Sequence, residues 1–285
     1  KSSHQVKVKV MDANELYDPE FRKLIRTAYS DGEPPPTIII PVGSLEQHGA
    51  HLPITTDSDI VTEIASRLGK KCNFIVLPTI SYGVSDEHHP LTNITIQESL
   101  YTMFDEIMSS LGKMSNQDEH PRYEGLCIIL NGHHGNVEAL SSVEEMFAES
   151  YGDLQVVSDT PYKPLSVIEK EEVGTETAKS TVGNVRVYSY WKFMKHEFDH
   201  AGFVETSIML AISDKVKMKE AKKGLSLNGK SKREIERIKK LSTKPGGFTK
   251  VTWNGVWGDP TGATKKDGEK FLAEIVRNLA KECQS

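Results

Sequence analysis

The sequence predicts an α/β fold of three layers (αβα), in which helices cover both faces of a mostly parallel central sheet. Short apolar runs that suit buried strands alternate with amphipathic patterns that suit helices. Polar clusters follow three of these runs, and ligands of such sheets bind at the carboxyl ends of the strands. The length of 285 residues suits one large domain, and we expect a single domain over 1–285.

Strands and helices are expected to follow one another in regular order. A helix comes after each of the first three strands, and another one closes the chain. Asp57 or Ser58 caps the first helix, which ends at Gly69, and Asn136 caps the third. The predicted strands are 37–42, 73–77, 126–130 and 154–157, and the helical stripes are 60–68, 100–111, 137–147 and 272–280.

Composition and charge argue against several classes of protein. Hydrophobic residues make up 37% and charged residues 26% of the chain, as in globular proteins with a sizeable core. The formal charge of -5 gives no general attraction to nucleic acid or to an anionic membrane. Three scattered cysteines indicate a reducing, cytoplasmic location without a disulfide framework. No apolar run reaches the length of a membrane span or resembles a signal peptide.

One basic segment departs from this balance. Residues 214–250 hold thirteen Lys or Arg against four Asp or Glu. We interpret the segment as a solvated helix and loop at the periphery of the domain. The alternatives are a surface for an anionic ligand and a nucleic-acid interface, which salt-dependent retention on DNA would reveal.

Two carboxylates and an imidazole lie within twelve residues, directly after the first predicted strand. Glu46 and His48 are two positions apart at a strand end, so their side chains face the same side. Asp57 is far enough along the chain to return to the same cavity. Such ligands suit a borderline or hard divalent ion. The segment therefore predicts a metalloenzyme.

Two further motifs add candidate ligands. Glycines in the segment 131–136 can present His133 at a strand end, although a glycine turn with incidental histidines is the alternative. Glu205 opens an apolar helical run, where a carboxylate can also serve only as a partner of the helix dipole. His200 lies five residues earlier and, taken alone, could be a surface histidine.

Together these motifs resemble the creatininase family of metal-dependent amidohydrolases. The matching segments occur in the family's order and extend over about residues 37–275. The resemblance implies the family's fold, a small-molecule substrate and a homo-oligomer, commonly a hexamer, with no membrane or nucleic-acid partner. The segments are PVGSLEQHGAHLP with Asp57, NGHHGN, HAGFVETS, and GVWGDPTGAT with Gly268 and Glu269.

The resemblance also implies two divalent metal ions per chain, which could be Zn, Mn or Fe(II). Glu46, Asp57 and His133 would hold one ion. His48, Asp57 and Glu205 would hold the other, so that Asp57 bridges the pair. Such a pair lowers the pKa of a bridging water, and the resulting hydroxide attacks a carbonyl carbon.

The proton donor and the substrate contacts follow from the same resemblance. His200 matches the family's catalytic histidine, which would pass a proton to the leaving nitrogen. Residues 82–89 resemble the family's substrate-side loop, whereas their continuation 90–93 departs from it. The implied substrate contacts, in or directly behind the pocket, are Tyr82, Ser85, Glu87, His88 and His134.

Several positions depart from creatininase itself. Gly135 stands where creatininase has a glutamate, and His134 replaces a glycine or an aromatic residue. Creatininase has a tryptophan four residues before its catalytic histidine, whereas this chain has His196 there. Trp191 lies nearby in sequence but out of register. Creatinine is therefore not the expected substrate.

We expect a dinuclear-metal hydrolase that cleaves a non-peptide C–N bond in a linear formamide or a cyclic amide. A formamidopyrimidine ribotide is the favoured substrate, and basic residues at 244–250 could bind its phosphate. The alternatives are hydrolysis of creatinine, of another cyclic amide, or of an oxidised sugar or inositol ring. A metal-binding family member without turnover is a further alternative.

Overall fold

A computed structural model describes residues 12–30, 35–96, 99–115, 123, 125–150 and 185–284. The strands are β1 (Ile38–Val42), β2 (Leu45–Glu46), β3 (Ile75–Val76), β4 (Asn93–Ile94), β5 (Cys127–Asn131) and β6 (Val185–Ser189). The helices are α1 (Asp18–Ser30), α2 (Thr56–Cys72), α3 (Ser99–Ser115), α4 (Val137–Ser150), α5 (Phe203–Ile212), α6 (Lys232–Ser242), α7 (Phe248–Val251) and α8 (Lys265–Gln284).

The central sheet has the parallel arrangement that the sequence predicts. Within the described residues its strand order is β3-β1-β5-β6, and every neighbouring pair is parallel. The carboxyl ends of these strands therefore meet at one edge of the sheet. Strand β2 follows β1 after two residues and pairs antiparallel with β4. This small ribbon begins at the edge where the polar clusters lie.

Each face of the sheet has its own hydrophobic core. Successive side chains of a strand point to opposite faces, so the three isoleucines of β1 divide between the two cores. Ile39 packs with residues of α2, α5 and α8. Ile38 and Ile40 pack with residues of α1, α3 and α4. These two helical layers confirm the predicted three-layer fold, and burial on both faces explains why β1 is continuously apolar.

Helix α2 is longer than predicted at both ends. It continues through Gly69 to Cys72, because Asn73 adopts the left-handed conformation with φ 61° and donates its N–H to the carbonyl of Gly69. At the other end Thr55 is the N-cap and the helix begins at Thr56, so the prediction that Asp57 or Ser58 caps it is wrong. Asp57 consequently lies in the first helical turn and not in the preceding loop.

Strand β6 is absent from the sequence prediction, and the predicted strand 154–157 lies outside the described residues. The signal for β6 is an alternation in which Val185 and Val187 face one core while Tyr188 faces the other. In the basic segment, α6 begins with a capping box formed by Ser231 and Glu234. Among the described helices, none combines the length and apolar character needed to cross a membrane.

Helices α5 and α8 approach each other closely at Gly268. A Cβ at this position would collide with the carbonyl oxygen of Ser207 in α5. We expect Gly268→Ala to lower the free energy of unfolding by about 1–3 kcal/mol, because overpacking pushes the two helices apart. Urea unfolding measures this change. Gly262→Ala is the control, since nothing lies within 4 Å of its added Cβ, and equal losses in both variants would contradict the prediction.

Candidate metal centre

Three loops meet at the carboxyl edge of the sheet, and Asn136 connects them. Its side-chain amide donates to the carbonyl of Gly43 at 3.0 Å and accepts from the N–H of Val84 at 2.8 Å. The same amide lies 3.3 Å from Oδ1 of Asn131. The prediction that Asn136 caps α4 is therefore wrong, because its side chain binds the loops after β1, β3 and β5. These bonds produce the convergence of loops that the sequence predicts.

The carboxylate of Glu46 lies among three histidines at the end of β2. Its side chain is fully buried. Oε2 lies 3.1 Å from Nε2 of His133 and accepts a hydrogen bond from Ser44 at 3.1 Å. Oε1 lies 3.0 Å from Nε2 of His88 and 3.8 Å from Nδ1 of His200. Glu46 can therefore bind a metal ion together with a histidine from any of three loops.

Asp57 lies between two predicted ligands that belong to different ions. Oδ1 is 3.2 Å from Nε2 of His48, and Oδ2 is 3.1 Å from Nδ1 of His133. The first turn of α2 suits this carboxylate, because a helix N-terminus favours negative charge. The two oxygens of Asp57 thus face two different histidines, as a bridging ligand requires.

Glu205 approaches the cluster from the first turn of α5. Its Oε2 lies 3.5 Å from Nε2 of His48 and accepts a hydrogen bond from the N–H of Ala201 at 2.6 Å. Ala201 has a positive φ of 51°, which is uncommon for a residue with a side chain. The structure therefore brings together all five residues that the sequence proposes as ligands.

Backbone carbonyls orient both histidines that are candidate ligands, His48 and His133. Nδ1 of His48 lies 3.3 Å from the carbonyl of Glu46, and Nε2 of His133 lies 2.8 Å from the carbonyl of Val84. A carbonyl accepts only from a protonated nitrogen, so this arrangement leaves the other nitrogen of each ring for a metal, although Glu46 faces Nε2 of His133 and not Nδ1. Those nitrogens, Nε2 of His48 and Nδ1 of His133, are the ones that face Asp57.

The cluster fits a divalent metal. Among the described residues, three of its buried carboxylate oxygens have no hydrogen-bond partner: Oε1 of Glu46, Oδ2 of Asp57 and Oε1 of Glu205. Nε2 of His88 lies 3.0 Å from Oε1 of Glu46, and Nδ1 of His133 lies 3.1 Å from Oδ2 of Asp57. Neither contact has the geometry of a hydrogen bond. Buried carboxylates without partners are costly, whereas an ion would satisfy several at once. Nitrogen and oxygen ligands suit Zn and Mn.

Without an ion, the carboxylates and histidines of the cluster shift one another's pKa values. Burial lowers the pKa of His48, but Asp57, Glu205 and Glu46 outweigh it and raise that pKa to about 10. Burial likewise opposes the charge of His133, and Glu46 and Asp57 outweigh it and hold its pKa well above the ordinary value. Burial raises the pKa of Glu205 to about 8, with Asp57 adding to the effect. When no metal is bound, these shifts favour the protonated form of each group at pH 7.

We expect metal uptake at pH 7 to release protons. His48, with a pKa of about 10, and Glu205, with a pKa of about 8, must both lose protons before they can bind an ion. Metal affinity should therefore fall as the pH is lowered. Calorimetric titration of the metal-free protein with Zn²⁺ in buffers of different protonation enthalpy counts the protons. Uptake without proton release would contradict this charge assignment.

His200 lies beside the ligands, with its ring 4.2 Å from that of His48. Its Nε2 lies 3.0 Å from the carbonyl of Gln47, and Nδ1 faces Glu46. Burial and the neighbouring His48 and His88 lower the pKa of His200 well below its ordinary value. The imidazole is therefore neutral near pH 7 and can accept a proton.

The loop after β3 contributes more to the centre than the sequence indicates. His88 is 2% exposed, and its contact with Glu46 places it within the ligand cluster. Oε1 of Glu87 lies 3.4 Å from Nε2 of His133. His88 and Glu87 could each bind a metal together with Glu46 and a histidine of the cluster. Both residues were predicted only as substrate-side groups.

The other predicted substrate contacts occupy different environments. Tyr82 is 49% exposed, whereas Ser85 is fully buried and its hydroxyl has no hydrogen-bond partner among the described residues. The ring of His134 stacks at 5.8 Å on Trp191 and at 6.0 Å on Phe198. Because His134 adjoins the ligand His133, this aromatic cluster lies next to the metal centre.

The departures from the family pattern have structural explanations. A Cβ at Gly135 would collide with the carbonyl of Val84 and with His133, and would come within 2.7 Å of Oε1 of Glu87. The position therefore has no room for a glutamate. His196, at the position of the family's tryptophan, is exposed and packs against Phe203 and Phe271. Trp191 instead stacks on His134, the residue that follows His133.

Sequence reasoning assigned no role to Gln47. Its amide lies 2.9 Å from Nδ1 of His88 and 3.1 Å from Nε2 of His200. The only signal was its position between two ligands, Glu46 and His48, in a strand end. Alternation in a strand turns Gln47 away from these ligands, so the pattern alone gave it no place in the site.

Comparison with known proteins agrees with this geometry. A family model described as "Creatininase: Creatinine amidohydrolase" matches residues 25–283. The mycofactocin precursor peptide peptidase of Mycolicibacterium smegmatis is 28% identical over 254 residues, which cover 86% of this chain and 83% of that protein. The creatinine amidohydrolase of Pseudomonas putida is 24% identical over 197 residues, covering 61% of this chain and 64% of that protein.

Solved structures show the same fold. A crystal structure of creatinine amidohydrolase superposes with a TM-score of 0.67 at 20% identity and covers 96% of both chains. Solved creatininases include a zinc form and a manganese form. The family model spans nearly the whole chain and all five predicted ligands. This protein therefore belongs to the creatininase family of metal-dependent amidohydrolases.

Proposed function

We propose that this protein hydrolyses an amide C–N bond at a dinuclear metal centre. As the family resemblance implies, Glu46, Asp57 and His133 would hold one ion, and His48, Asp57 and Glu205 would hold the other. One observation carries the proposal: the two oxygens of Asp57 face a ring nitrogen of each histidine, at 3.2 and 3.1 Å. A carboxylate in this position can bridge two ions.

The protein's own residues would supply binding and proton transfer. When bound, two divalent ions lower the pKa of a water and polarise a carbonyl oxygen. Nδ1 of His200 accepts the proton of the attacking water, since this neutral imidazole lies beside the cluster. The carbon–oxygen bond then forms, the C–N bond breaks, and His200 returns the proton to the leaving nitrogen. Five buried ligands keep bulk water from the centre.

Among substrates, we propose a linear formamide or a cyclic amide, with a formamidopyrimidine ribotide as the specific candidate. A cavity of about 490 Å³ lies beside the loop that carries His88, although neither His200 nor any of the five candidate ligands lines it. Lys250 and His89 lie in its wall and could contact an anionic group, although Asp86 also lines it. His89 directly follows His88, so the cavity adjoins a residue of the centre.

A peptide amide is the second candidate. The observation that favours it is the similarity to mycofactocin precursor peptide peptidases, which extends over 85–86% of this chain at 27–30% identity. The match to creatinine amidohydrolase covers only 61% of the chain. The aromatic cluster of His134, Trp191 and Phe198 could pack against an apolar side chain of such a peptide.

A substrate panel tests these candidates. The Zn²⁺-loaded and Mn²⁺-loaded proteins are incubated with formamides, creatinine, other cyclic amides, an oxidised inositol and short peptides. Turnover of formamides or cyclic amides supports the first candidate, and turnover of peptides alone supports the second. Two bound ions per chain without turnover of any amide would overturn the proposal and favour a metal-binding role. Inorganic phosphate that fails to bind near Lys250 would count against the ribotide.

Three properties remain predictions that accompany this proposal: a single domain, a homohexamer and a cytoplasmic location. Light scattering of the purified protein measures the second of these directly.

A further inference from the structure

The side chain of Gln47 lies behind the metal centre, between two histidines. It is 8% exposed, and its Nε2 lies 2.9 Å from Nδ1 of His88 and 3.1 Å from Nε2 of His200. The two imidazoles stack on each other with centroids 4.8 Å apart. Phe248 covers both rings, at 4.6 Å from His88 and 4.8 Å from His200.

Two glycines fix the orientation of the Gln47 amide. Oε1 accepts from the N–H of Gly49 at 3.0 Å, and Nε2 donates to the carbonyl of Gly255 at 3.2 Å. Exchanging the amide's oxygen and nitrogen would break both bonds. Gly255 has a positive φ of 72°, and a Cβ there would collide with this amide. The backbone at Gly255 is therefore shaped around Gln47.

This orientation determines where the ring protons lie. Nε2 of His200 lies 3.0 Å from the carbonyl of Gln47, which can only accept, so this nitrogen carries the proton of the neutral ring. The amide has two N–H groups, and one is bound to Gly255. The second finds an acceptor only at Nδ1 of His88, because Nε2 of His200 is already protonated. A neutral His88 then carries its proton on Nε2.

The alternative assignment satisfies fewer of these contacts. If Nε2 of His200 accepted from the amide of Gln47, its lone pair would face the carbonyl of Gln47 at 3.0 Å. Nδ1 of His88 would then lie 2.9 Å from an amide nitrogen that has no proton left for it. Leaving a buried polar group without a partner is unfavourable, so the first assignment is favoured.

We propose that Gln47 is a positioning residue that holds His88 and His200 in the same tautomer, protonated on Nε2, while opposite ring edges face Glu46. Its backbone carbonyl leaves Nδ1 of His200 unprotonated toward Glu46, and its side-chain amide places the proton of His88 on Nε2, the ring nitrogen nearer to Glu46. The two stacked rings thus present an unprotonated and a protonated nitrogen to the same centre, with Oε1 of Glu46 at 3.8 and 3.0 Å. The catalytic consequence rests on the proposed function, whereas the tautomers do not.

Nitrogen-15 spectra of the Zn²⁺-loaded protein test the tautomers without any substrate. Protonated and unprotonated ring nitrogens give separate signals, and His88→Asn and His200→Asn assign them. We expect an unprotonated signal for Nδ1 of His88 and for Nδ1 of His200. A protonated signal at either atom, or a Zn²⁺-shifted signal from His88, would overturn the proposal. This result is independent of whether a substrate has been found.

Gln47→Met tests the role of the amide, since methionine keeps the length of the side chain and removes its donors. We expect the single tautomer of His88 to be lost and kcat to fall about 10–100-fold, with KM and Zn²⁺ content unchanged, as for other partners that orient ligands. Gln284→Met, at an exposed position, is the control. Unchanged His88 signals in Gln47→Met would overturn the proposal.

Gly255→Ala provides a second route to the same test. It retains the amide but displaces it, because the new Cβ occupies the space of the Gln47 side chain. We expect the same change in the His88 signals. If the protein hydrolyses no amide while the tautomers are as assigned, only the proposed function fails. If amides are hydrolysed while the tautomers differ, only this inference fails.

Discussion

Asp57→Ala is expected to remove both metal ions and to lower turnover by more than about 10³-fold, or roughly 4 kcal/mol of transition-state stabilisation. Asp57 faces a nitrogen of His48 and a nitrogen of His133, so its loss takes a ligand from both proposed ions. Elemental analysis of the purified variant measures metal content, and kinetics on the substrate identified by the panel measures turnover.

Asp59→Ala is the matched control for this experiment. Asp59 lies in the same helical turn and accepts a hydrogen bond from Thr55, but it belongs to no cluster of ligands in the described residues. It should keep its full metal content. An Asp57→Ala protein that also retains both ions would show that Asp57 does not bridge them, and the division of ligands would need revision.

His200→Ala is expected to leave the metal content intact and to lower kcat by about 10²–10⁴-fold, the usual contribution of a general acid or base. The reason is that His200 lies beside the ligands with a neutral ring, while five other residues supply the proposed coordination. Metal analysis and kinetics are measured on the same preparation, so that the two effects are separated.

His196→Ala is the control, since this histidine is exposed and packs on Phe203 and Phe271 away from the cluster. It should retain activity. If His200→Ala loses an ion instead, His200 is a ligand. Its position within ligand reach of His48 and Glu205 makes this a meaningful test.

The sheet and the cluster of candidate ligands could be predicted from the sequence because their signals are local. The apolar run of β1 and the spacing of Glu46, His48 and Asp57 each lie within a short segment. The predictions were wrong where a residue distant in sequence but close in space determines what a side chain binds. Asn136 resembles a helix cap in the sequence, but the loop carbonyl of Gly43 and the N–H of Val84 compete for its side chain.

The local sequence likewise did not predict which aromatic side chain stacks on His134. Trp191 is out of register with the family's tryptophan, yet it stacks on His134 because a short 3-10 helix after β6 turns it inward. His196 occupies the expected register and is exposed. Sequence position does not fix which side chain reaches a site, because the path of the backbone between two elements does.

The sequence by itself determined the reaction class, since candidate metal ligands of suitable type and spacing occur within short motifs. Only the tertiary structure decided how these ligands are held and in which protonation state. Gln47 meets His200 across 153 positions and Gly255 across 208. Hydrogen bonds between such distant residues depend on how the loops pack, and no spacing rule in one sequence records them.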